Sequence, residues 1–317
     1  MVRLDENSRR GSGVSRRAPR LDADMSPNSD NTIQTTPPTA WDHGSHGEFY
    51  DYYAKESLTP QARERFRRIR DAILRVYPND HRQHCDVADI GCNAGTQSLL
   101  WAELGHRVYA VDINQPLLDL ARERAFRCGY KVEFLLGSAV SLPLPDQSID
   151  ICLAVELLEH VEDWQRCLRE FTRILRPQGV LFMTTTNKLC PLQQEFNLPL
   201  YGWYPARLKR YCERLAKTTR PGLANYAKYP AVNWFSFYAL RKALAGAGFE
   251  SMDRFDLIDE ATKGRAARAV IAGVRGSSIL RWAAHVATPG TMILAIKSRR
   301  ASINFVESAK SRGCPAP

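Results

Sequence analysis

The feature that most constrains the fold is an alternation of apolar strands with amphipathic helices between residues 86 and 186. "DVADI", "RVYAVDI" and "KVEFLLG" are short apolar runs, and helix-like segments separate them. "EDWQRCLREFTRILRPQG" is the most regular of these helices, because its apolar residues recur at helical spacing before Pro177 and Gly179. Strands and helices at this pitch form right-handed βαβ units. The sequence therefore predicts a doubly wound α/β fold, in which helices cover both faces of a mostly parallel sheet.

Composition divides the rest of the chain. Residues 1–40 are rich in Ser, Arg, Pro, Asn and Thr, and we expect a disordered tail there because they have little apolar surface to bury. We expect a single domain over 41–297, and an amphipathic helix begins near its start. The strand–helix rhythm stops at 188–233 and 259–289, which we interpret as lid insertions. Residues 298–317 are predicted to form a flexible C-terminal tail.

Charge and cysteine usage limit the partners and the compartment. The net charge of +10 favours anionic partners such as phosphates or a lipid surface. No nucleic-acid-binding motif accompanies that charge, so we do not expect nucleic acid as a partner. The eight cysteines include no Cys-x-x-Cys pair, and no apolar run reaches the ~18 residues of a membrane span. We expect a cytoplasmic protein, with peripheral membrane contact through the basic insertions.

The stretch "VADIGCNAGTQS" joins the first strand to a helix through a glycine turn. Gly91 and Gly95 have no side chains, so a ligand can approach the backbone closely, and the helix that follows offers free N–H groups. Asp112 ends the next strand, 17 residues after Gly95, where a carboxylate can accept both hydroxyls of a ribose. These two features predict a nucleotide or nucleoside site at the carboxyl edge of the sheet. The alternative is a turn that only reverses the chain beside a solvated aspartate.

The order of residues in the turn distinguishes between ligands. A dinucleotide turn has the pattern G-x-G-x-x-G, whereas here Asn93 takes the middle position and a single residue separates it from Gly95. With Asp89, the stretch is similar to the D-x-G-x-G-x-G turn that binds S-adenosylmethionine (SAM). Asn93 departs from the glycine of that pattern, but asparagine can adopt the left-handed conformation.

Residues 60–297, which include the turn, resemble the class I SAM-dependent methyltransferases. Asp112, "GSAVSLPLPDQSIDICLAVELLEHVED", "RILRPQGVLFMTTTN" and the late "TMILAIK" follow in the order of that family. The resemblance implies a Rossmann-like, seven-stranded sheet whose last strand is antiparallel and inserts beside the sixth. It implies a SAM site in which Asp112 binds the ribose and Glu156 lines the cavity near the methyl donor. The other residues that it assigns to SAM are Asp89, Gly91, Cys92, Asn93, Gly95, Ile113, Ser138 and Ala139.

The stretch "AVELLEHVED" carries the candidate catalytic residues Glu156, Glu159 and His160. A hydroxyl acceptor must lose its proton to a base or have its pKa lowered by a metal ion. His160 has a suitable intrinsic pKa for the base, and two carboxylates with a histidine can hold a divalent cation. The string resembles that of the 2-polyprenyl-6-hydroxyphenol O-methyltransferases of quinone biosynthesis, in the methyltransferase type 11 group, which implies Mg²⁺ on these three residues. The alternative is a structural role at the start of the next helix.

The sequence does not name the methyl acceptor. We expect an oxygen of a small-molecule or lipid-linked acceptor, such as a phenolic quinone precursor. The aromatic residues of the insertions, such as Tyr201 and Trp203, suit a ring or a prenyl chain, or else form the core of a separate lobe. Sugar, amine and carbon acceptors, a nicotinamide-dependent reductase and a catalytically inactive SAM-fold binding protein are the alternatives.

Overall fold

The computed structural model describes residues 56–77, 84–193, 196–224, 231 and 233–299. The predicted tail 1–40 and nearly all of the predicted tail 298–317 lie outside these ranges. Within them, seven strands form one sheet in the order β3-β2-β1-β4-β5-β7-β6. The strands are β1 (Asp86–Ile90), β2 (Arg107–Asp112), β3 (Val132–Leu136), β4 (Ile149–Val155), β5 (Leu175–Thr186), β6 (Phe249–Asp253) and β7 (Gly290–Lys297).

Strand pairing confirms the predicted sheet. The neighbouring strands from β3 to β5 pair in parallel. β7 lies between β5 and β6 and is antiparallel to both of them. The carboxyl ends of the parallel strands and the amino end of β7 therefore lie along one edge of the sheet. We call it the carboxyl edge.

Eight helices accompany the sheet in the described part of the chain. Asn114 caps one of them, α3, because its side chain accepts from the Leu117 N–H. The helices are α1 (Pro60–Val76), α2 (Thr96–Ala102), α3 (Gln115–Cys128), α4 (Trp164–Ile174), α5 (Ala206–Lys217), α6 (Phe237–Gly246), α7 (Arg265–Gly276) and α8 (Ser278–Val286).

The sheet separates two apolar clusters, because successive side chains of a strand point to opposite faces. On β4, Cys152 and Ala154 pack into a cluster that includes buried residues of α4 and α6. Ile151 and Leu153, on the other face, pack with Ile73 of α1. Both faces are thus covered by helices, as the sequence predicts.

One predicted helix ends earlier than the sequence pattern suggests, and two strands end where the backbone turns. The helix predicted up to Gly179 ends at Ile174, because Leu175 joins the sheet opposite Ile149. The fourth strand ends at Val155, since the next residue has a positive φ of 51°. The sixth strand ends at Asp253, where the chain enters a turn.

The two predicted insertions contain structure of their own. In 188–233, Tyr201 is fully buried and stacks on Phe196 with ring centroids 4.2 Å apart. Tyr201 therefore belongs to the core of a small lobe, whereas Trp203 is 58% exposed. In 259–289, α7 and α8 form a helical hairpin. Among the described residues, none of the helices has the length and apolar character needed to cross a membrane.

Candidate active site

The turn between β1 and α2 has a left-handed backbone. φ is 74° at Gly91, 49° at Asn93 and 74° at Gly95. The Gly91 N–H donates to the Val111 carbonyl at 2.8 Å, so β2 anchors the turn. Asn93 Nδ2 donates to the Gly91 carbonyl at 3.0 Å, which helps a non-glycine residue to hold this conformation. Asn93 thus adopts the conformation that the sequence predicts for it.

Asp112 is in direct contact with that turn. Its carboxylate accepts from the Asn93 N–H at 2.8 Å through Oδ2 and from the Asn114 N–H at 2.9 Å through Oδ1. Burial raises the pKa of Asp112, and the backbone donors oppose this effect. Because each carboxylate oxygen has two lone pairs, both oxygens can still accept a further hydroxyl. The structure therefore brings the glycine turn and the predicted ribose acid together.

Asp89 lies beneath the turn and is 3% exposed. Its Oδ2 accepts from Ser98 Oγ of α2 at 2.5 Å. Burial and the charge of Asp112 raise the pKa of Asp89 to about 6, although the Ser98 hydrogen bond lowers it. Cys92 is also buried, and burial raises the pKa of its thiol, so the side chain is a neutral core group. The Cys92 side chain packs in the core, so only the backbone of Cys92 lies at the turn.

The residues predicted to contact the adenine lie at the ends of β2 and β3. Ile113 follows Asp112 directly and is 52% exposed, so it offers an apolar surface at the carboxyl edge. The Gly137 N–H donates to the Asp112 carbonyl at 3.0 Å, which holds the segment after β3 beside β2. Ser138 is half-buried, and Ala139 packs in the core.

Glu156 turns out of β4 toward the face of the sheet that α1 covers. Its φ of 51° is unusual for a residue with a side chain and indicates a constrained backbone. Oε1 accepts from Thr184 Oγ1 at 2.7 Å and from Arg65 Nη2 at 3.1 Å. The side chain is 45% exposed. Glu156 is therefore an accessible carboxylate held by a strand residue and by a helix.

Glu159 is fully buried, in contrast. Its Oε2 accepts from Thr185 Oγ1 at 2.8 Å, whereas no donor lies within hydrogen-bond distance of Oε1. Burial raises the pKa of Glu159 well above its usual range, and the charge of Glu156 raises it further. A hydrogen bond between the carboxyl groups of Glu159 and Glu156, with the proton on Glu159, also raises the pKa of Glu159. Burial and the neighbouring Glu156 therefore favour the protonated form of Glu159.

The three residues predicted to hold a metal ion do not form a metal site. His160 ends the 3₁₀ turn Leu158–His160 and is partly exposed. Glu159 is buried and bonded to Thr185, and Glu156 pairs with Arg65. No group of three or more His, Cys, Asp or Glu side chains in the described ranges could hold a metal ion. The geometry therefore does not support the predicted Mg²⁺ site at Glu156, Glu159 and His160.

Sequence reasoning missed several side chains at the carboxyl edge. Thr184 and Thr185 hold the two glutamates, and the run of three threonines that ends a buried strand was an available signal. Arg65 is 91 residues away from Glu156 along the chain and is one of many arginines on α1. Arg254 follows β6 at the same edge. No local pattern distinguishes these two arginines from surface residues.

Known proteins that resemble this chain agree on one type of domain. The family described as "Methyltransferase domain" matches residues 88–183. Malonyl-[acyl-carrier protein] O-methyltransferase of Yersinia pestis is 39% identical over 99 residues, which make up 31% of this chain and 36% of that protein. Demethylmenaquinone methyltransferase of Listeria monocytogenes serotype 4a (strain HCC23) is 30% identical over 167 residues, or 48% of this chain and 70% of that protein.

Longer but weaker matches extend over more of the fold. Ubiquinone biosynthesis O-methyltransferase of Chelativorans sp. (strain BNC1) is 25% identical over 201 residues, or 60% of this chain and 70% of that protein. The crystal structure of the PH0226 protein from Pyrococcus horikoshii OT3 superimposes with a TM-score of 0.51 at 16% identity, covering 80% of this chain and 100% of that one. That structure supports the fold alone. The chain spans little more than a third of the length of the Yersinia relative.

Proposed function

Because this chain belongs to the SAM-dependent methyltransferases, we propose that it transfers a methyl group from SAM to an oxygen of a small or lipid-linked acceptor. The observation that carries the proposal is the contact between the Asp112 carboxylate and the Asn93 N–H at 2.8 Å. It joins a bare, left-handed turn to a buried carboxylate at the edge where ligands of such sheets bind.

The residues at this edge fit SAM. Asp112 can accept both ribose hydroxyls, and the exposed Ile113 can pack against the adenine. Between Gly91 and Gly95, only Asn93 has a side chain that could block the methionyl part of SAM. Its amide folds back onto Gly91 instead. SAM supplies a methyl group on a positively charged sulfur, and the protein supplies the position and the proton acceptor.

We assign the proton acceptor to His160, next to the buried Glu159. The acceptor oxygen forms its bond to the methyl carbon as the sulfur–methyl bond breaks, and the hydroxyl proton passes to a ring nitrogen of His160. Glu156 orients the acceptor, because Thr184 and Arg65 hold its carboxylate. His160→Gln should lower kcat at least about 100-fold while S-adenosylhomocysteine (SAH) still binds. An unchanged kcat would remove His160 from this role.

Two of the named relatives are O-methyltransferases, which supports an oxygen acceptor. The third is named only for its substrate, demethylmenaquinone. The relatives therefore favour oxygen without identifying the acceptor. Among the alternatives, an inactive SAM-fold protein would lack turnover on any acceptor, and a reductase would bind a nicotinamide cofactor instead of SAM.

The test is calorimetric titration of the purified protein with SAH, with NADH as a control ligand. Micromolar SAH binding without NADH binding supports the proposal and justifies screening carboxylic, phenolic and prenylated acceptors with labelled SAM. If a folded sample binds no SAH at millimolar concentration, the proposed function is wrong. Binding of NADH alone would favour the reductase.

We also propose that the α7–α8 hairpin contacts an anionic membrane surface. Residues 263–289 contain five Lys or Arg and no acid. Val270, Ile279, Leu280 and Trp282 are each more than half exposed. One side of α8 is fixed to the body of the protein, because buried His285 lies 3.0 Å from Asp253. Apolar residues in a positively charged segment are typical of helices that lie on anionic lipid.

A further inference from the structure

Arg254 lies at the carboxyl edge, where its guanidinium reaches Gly290 at the start of β7. It follows β6 directly, next to Asp253, which pairs with Ile293 of β7. The next position along β7 is Met292, whose partner on β5 is Thr184. A Cβ at Gly290 would lie 3.6 Å from the Thr185 carbonyl and 3.9 Å from Arg254 Nη2, so the guanidinium lies near the end of β5, where Thr184 holds Glu156. Burial lowers the pKa of Arg254, and the charges of Asp253 and Glu156 oppose that shift.

The donors of Arg254 are mostly unused. Nη2 donates to the Gly290 carbonyl at 2.6 Å, whereas Nε is buried without an acceptor. An arginine has five N–H donors and a buried donor without a partner is costly. A group with acceptor oxygens would satisfy these donors.

The neighbouring carboxylate of Asp253 already has other partners. Its Oδ2 lies 3.0 Å from His285 Nε2 and 3.4 Å from Arg281 Nη1. Its Oδ1 accepts from the N–H groups of Phe255 and Asp256. Within the described residues, Arg254 therefore has no direct ion pair, although burial removes water from its charge and lowers its pKa.

Repulsion between Glu156 and an incoming anion is reduced because Glu156 already pairs with an arginine. Arg65 Nη2 lies 3.1 Å from Glu156 Oε1 and offsets that charge from the α1 side. The local charges are thus a paired Glu156–Arg65 and an unpaired Arg254. A planar guanidinium in these surroundings matches the paired oxygens of a carboxylate or a phosphate.

We infer that Arg254 binds an anionic oxygen group, a carboxylate or a phosphate, on the methyl acceptor, and so determines acceptor specificity. The inference rests on the proposed function, since it concerns the acceptor of the same site. The Gly290 contact of Arg254 also suggests a structural role at the start of β7. Only the anion-binding role makes the effect of a substitution depend on the charge of the acceptor.

The test uses protein saturated with SAH and probes that differ in one group. Octanoate and 3,4-dihydroxybenzoate are compared with their methyl esters and with octyl phosphate by calorimetry. We expect the wild type to bind at least one anion more tightly than its ester. Arg254→Gln, which keeps an N–H for Gly290, should weaken that anion at least about tenfold and leave the esters unchanged. Arg254→Lys should retain part of the preference.

Arg265→Gln, at an exposed position of α7, is the control for the change in net charge. The inference is wrong if no anion binds to the SAH complex, if the wild type binds acid and ester equally, or if Arg254→Gln weakens acid and ester alike. An effect on octyl phosphate alone identifies a phosphate group, and an effect on the acids alone identifies a carboxylate. Failure of SAH to bind would instead contradict the proposed function, because SAH is titrated first.

Discussion

Single side chains at the carboxyl edge differ sharply in their electrostatic state. Asp112 is buried and accepts two backbone N–H bonds, which oppose the effect of burial on its pKa. Glu159 is enclosed, with one hydroxyl donor and one oxygen that lacks a donor. Desolvation without full compensation protonates a carboxyl group. Backbone donors therefore favour the charged form of Asp112, whereas burial with a single donor favours the protonated form of Glu159.

Replacing Asp112 should remove SAH binding. Each hydrogen bond to a charged group contributes about 1.5–3 kcal/mol, so Asp112→Ala should raise the Kd for SAH at least about 100-fold. Calorimetry measures this, with Asp119→Ala, an exposed carboxylate on α3, as the control. A Kd within about threefold of the wild-type value would show that Asp112 does not bind the ribose.

Replacing Glu159 by glutamine should change how stability depends on pH. The folded-state pKa of Glu159 is raised above its ordinary value of 4.5, so the folded protein holds a proton that the unfolded chain loses as the pH rises. Wild-type stability should therefore fall by about 1.4 kcal/mol per pH unit between those two pKa values. Glu159→Gln lacks this contribution.

Urea unfolding of wild type and Glu159→Gln at several pH values measures the difference between them. The difference should grow in favour of the variant as the pH rises above the ordinary value of 4.5 toward the raised folded-state pKa of Glu159. Because Asp89, whose pKa is about 6, is present in both proteins, its contribution cancels. Parallel stability curves would mean that Glu159 is ionised in the folded protein.

At the scale of elements, the β1–α2 connection depends on close packing against α3 and β3. A Cβ at Gly95 would lie 2.9 Å from Ala121 Cβ and 3.3 Å from Phe134 Cε1. Gly129, at the end of α3, has a similar φ of 70° but no heavy atom within 4 Å of such a Cβ. The two glycines therefore separate the cost of the left-handed conformation from the cost of a steric clash.

Gly95→Ala should be the more destabilising of the two substitutions. Gly129→Ala should cost about 1–2 kcal/mol, which is the left-handed penalty alone. Gly95→Ala should cost a further ~1–3 kcal/mol from overpacking and should also weaken SAH binding. Urea unfolding and SAH titration of both variants measure these effects. Equal losses would show that the turn relaxes around the added methyl group.

At the scale of the whole molecule, α7 and α8 carry several exposed apolar residues. Ile279 is 77% exposed and Trp282 51%. Buried His285 and the Asn187 amide, which donates to the His285 carbonyl at 2.8 Å, tie the hairpin to the ends of β6 and β5. The hairpin is thus anchored on one side and open on the other.

The double variant Ile279→Glu/Trp282→Glu should lose binding to vesicles that contain anionic lipid. Burying the two side chains contributes about 1.5–3 kcal/mol each, so sedimentation with vesicles should show at least a tenfold (~1.4 kcal/mol) weaker partition. Phe126→Glu, at an exposed position of α3, is the control. If the wild type does not sediment with anionic vesicles, the hairpin does not bind membrane.

The sequence by itself determined the sheet and the position of the glycine turn. Strand and helix periods are local properties, and the carboxyl ends of parallel strands necessarily meet at one edge. Asp112 and the turn therefore converge as their spacing predicts. The left-handed conformation of Asn93 is likewise a local property, because asparagine tolerates it.

Only the tertiary structure decided the charge state and the partners of the acidic cluster. Glu156 pairs with Arg65 of a distant helix, and the pKa of Glu159 is raised because the core encloses it. The predicted Mg²⁺ site failed for that reason, since ligand geometry and ionisation depend on burial and not on spacing. Arg254 reaches the same edge through the antiparallel β7, which joins segments far apart in the chain. Long-range packing of this kind leaves no pattern in the local sequence.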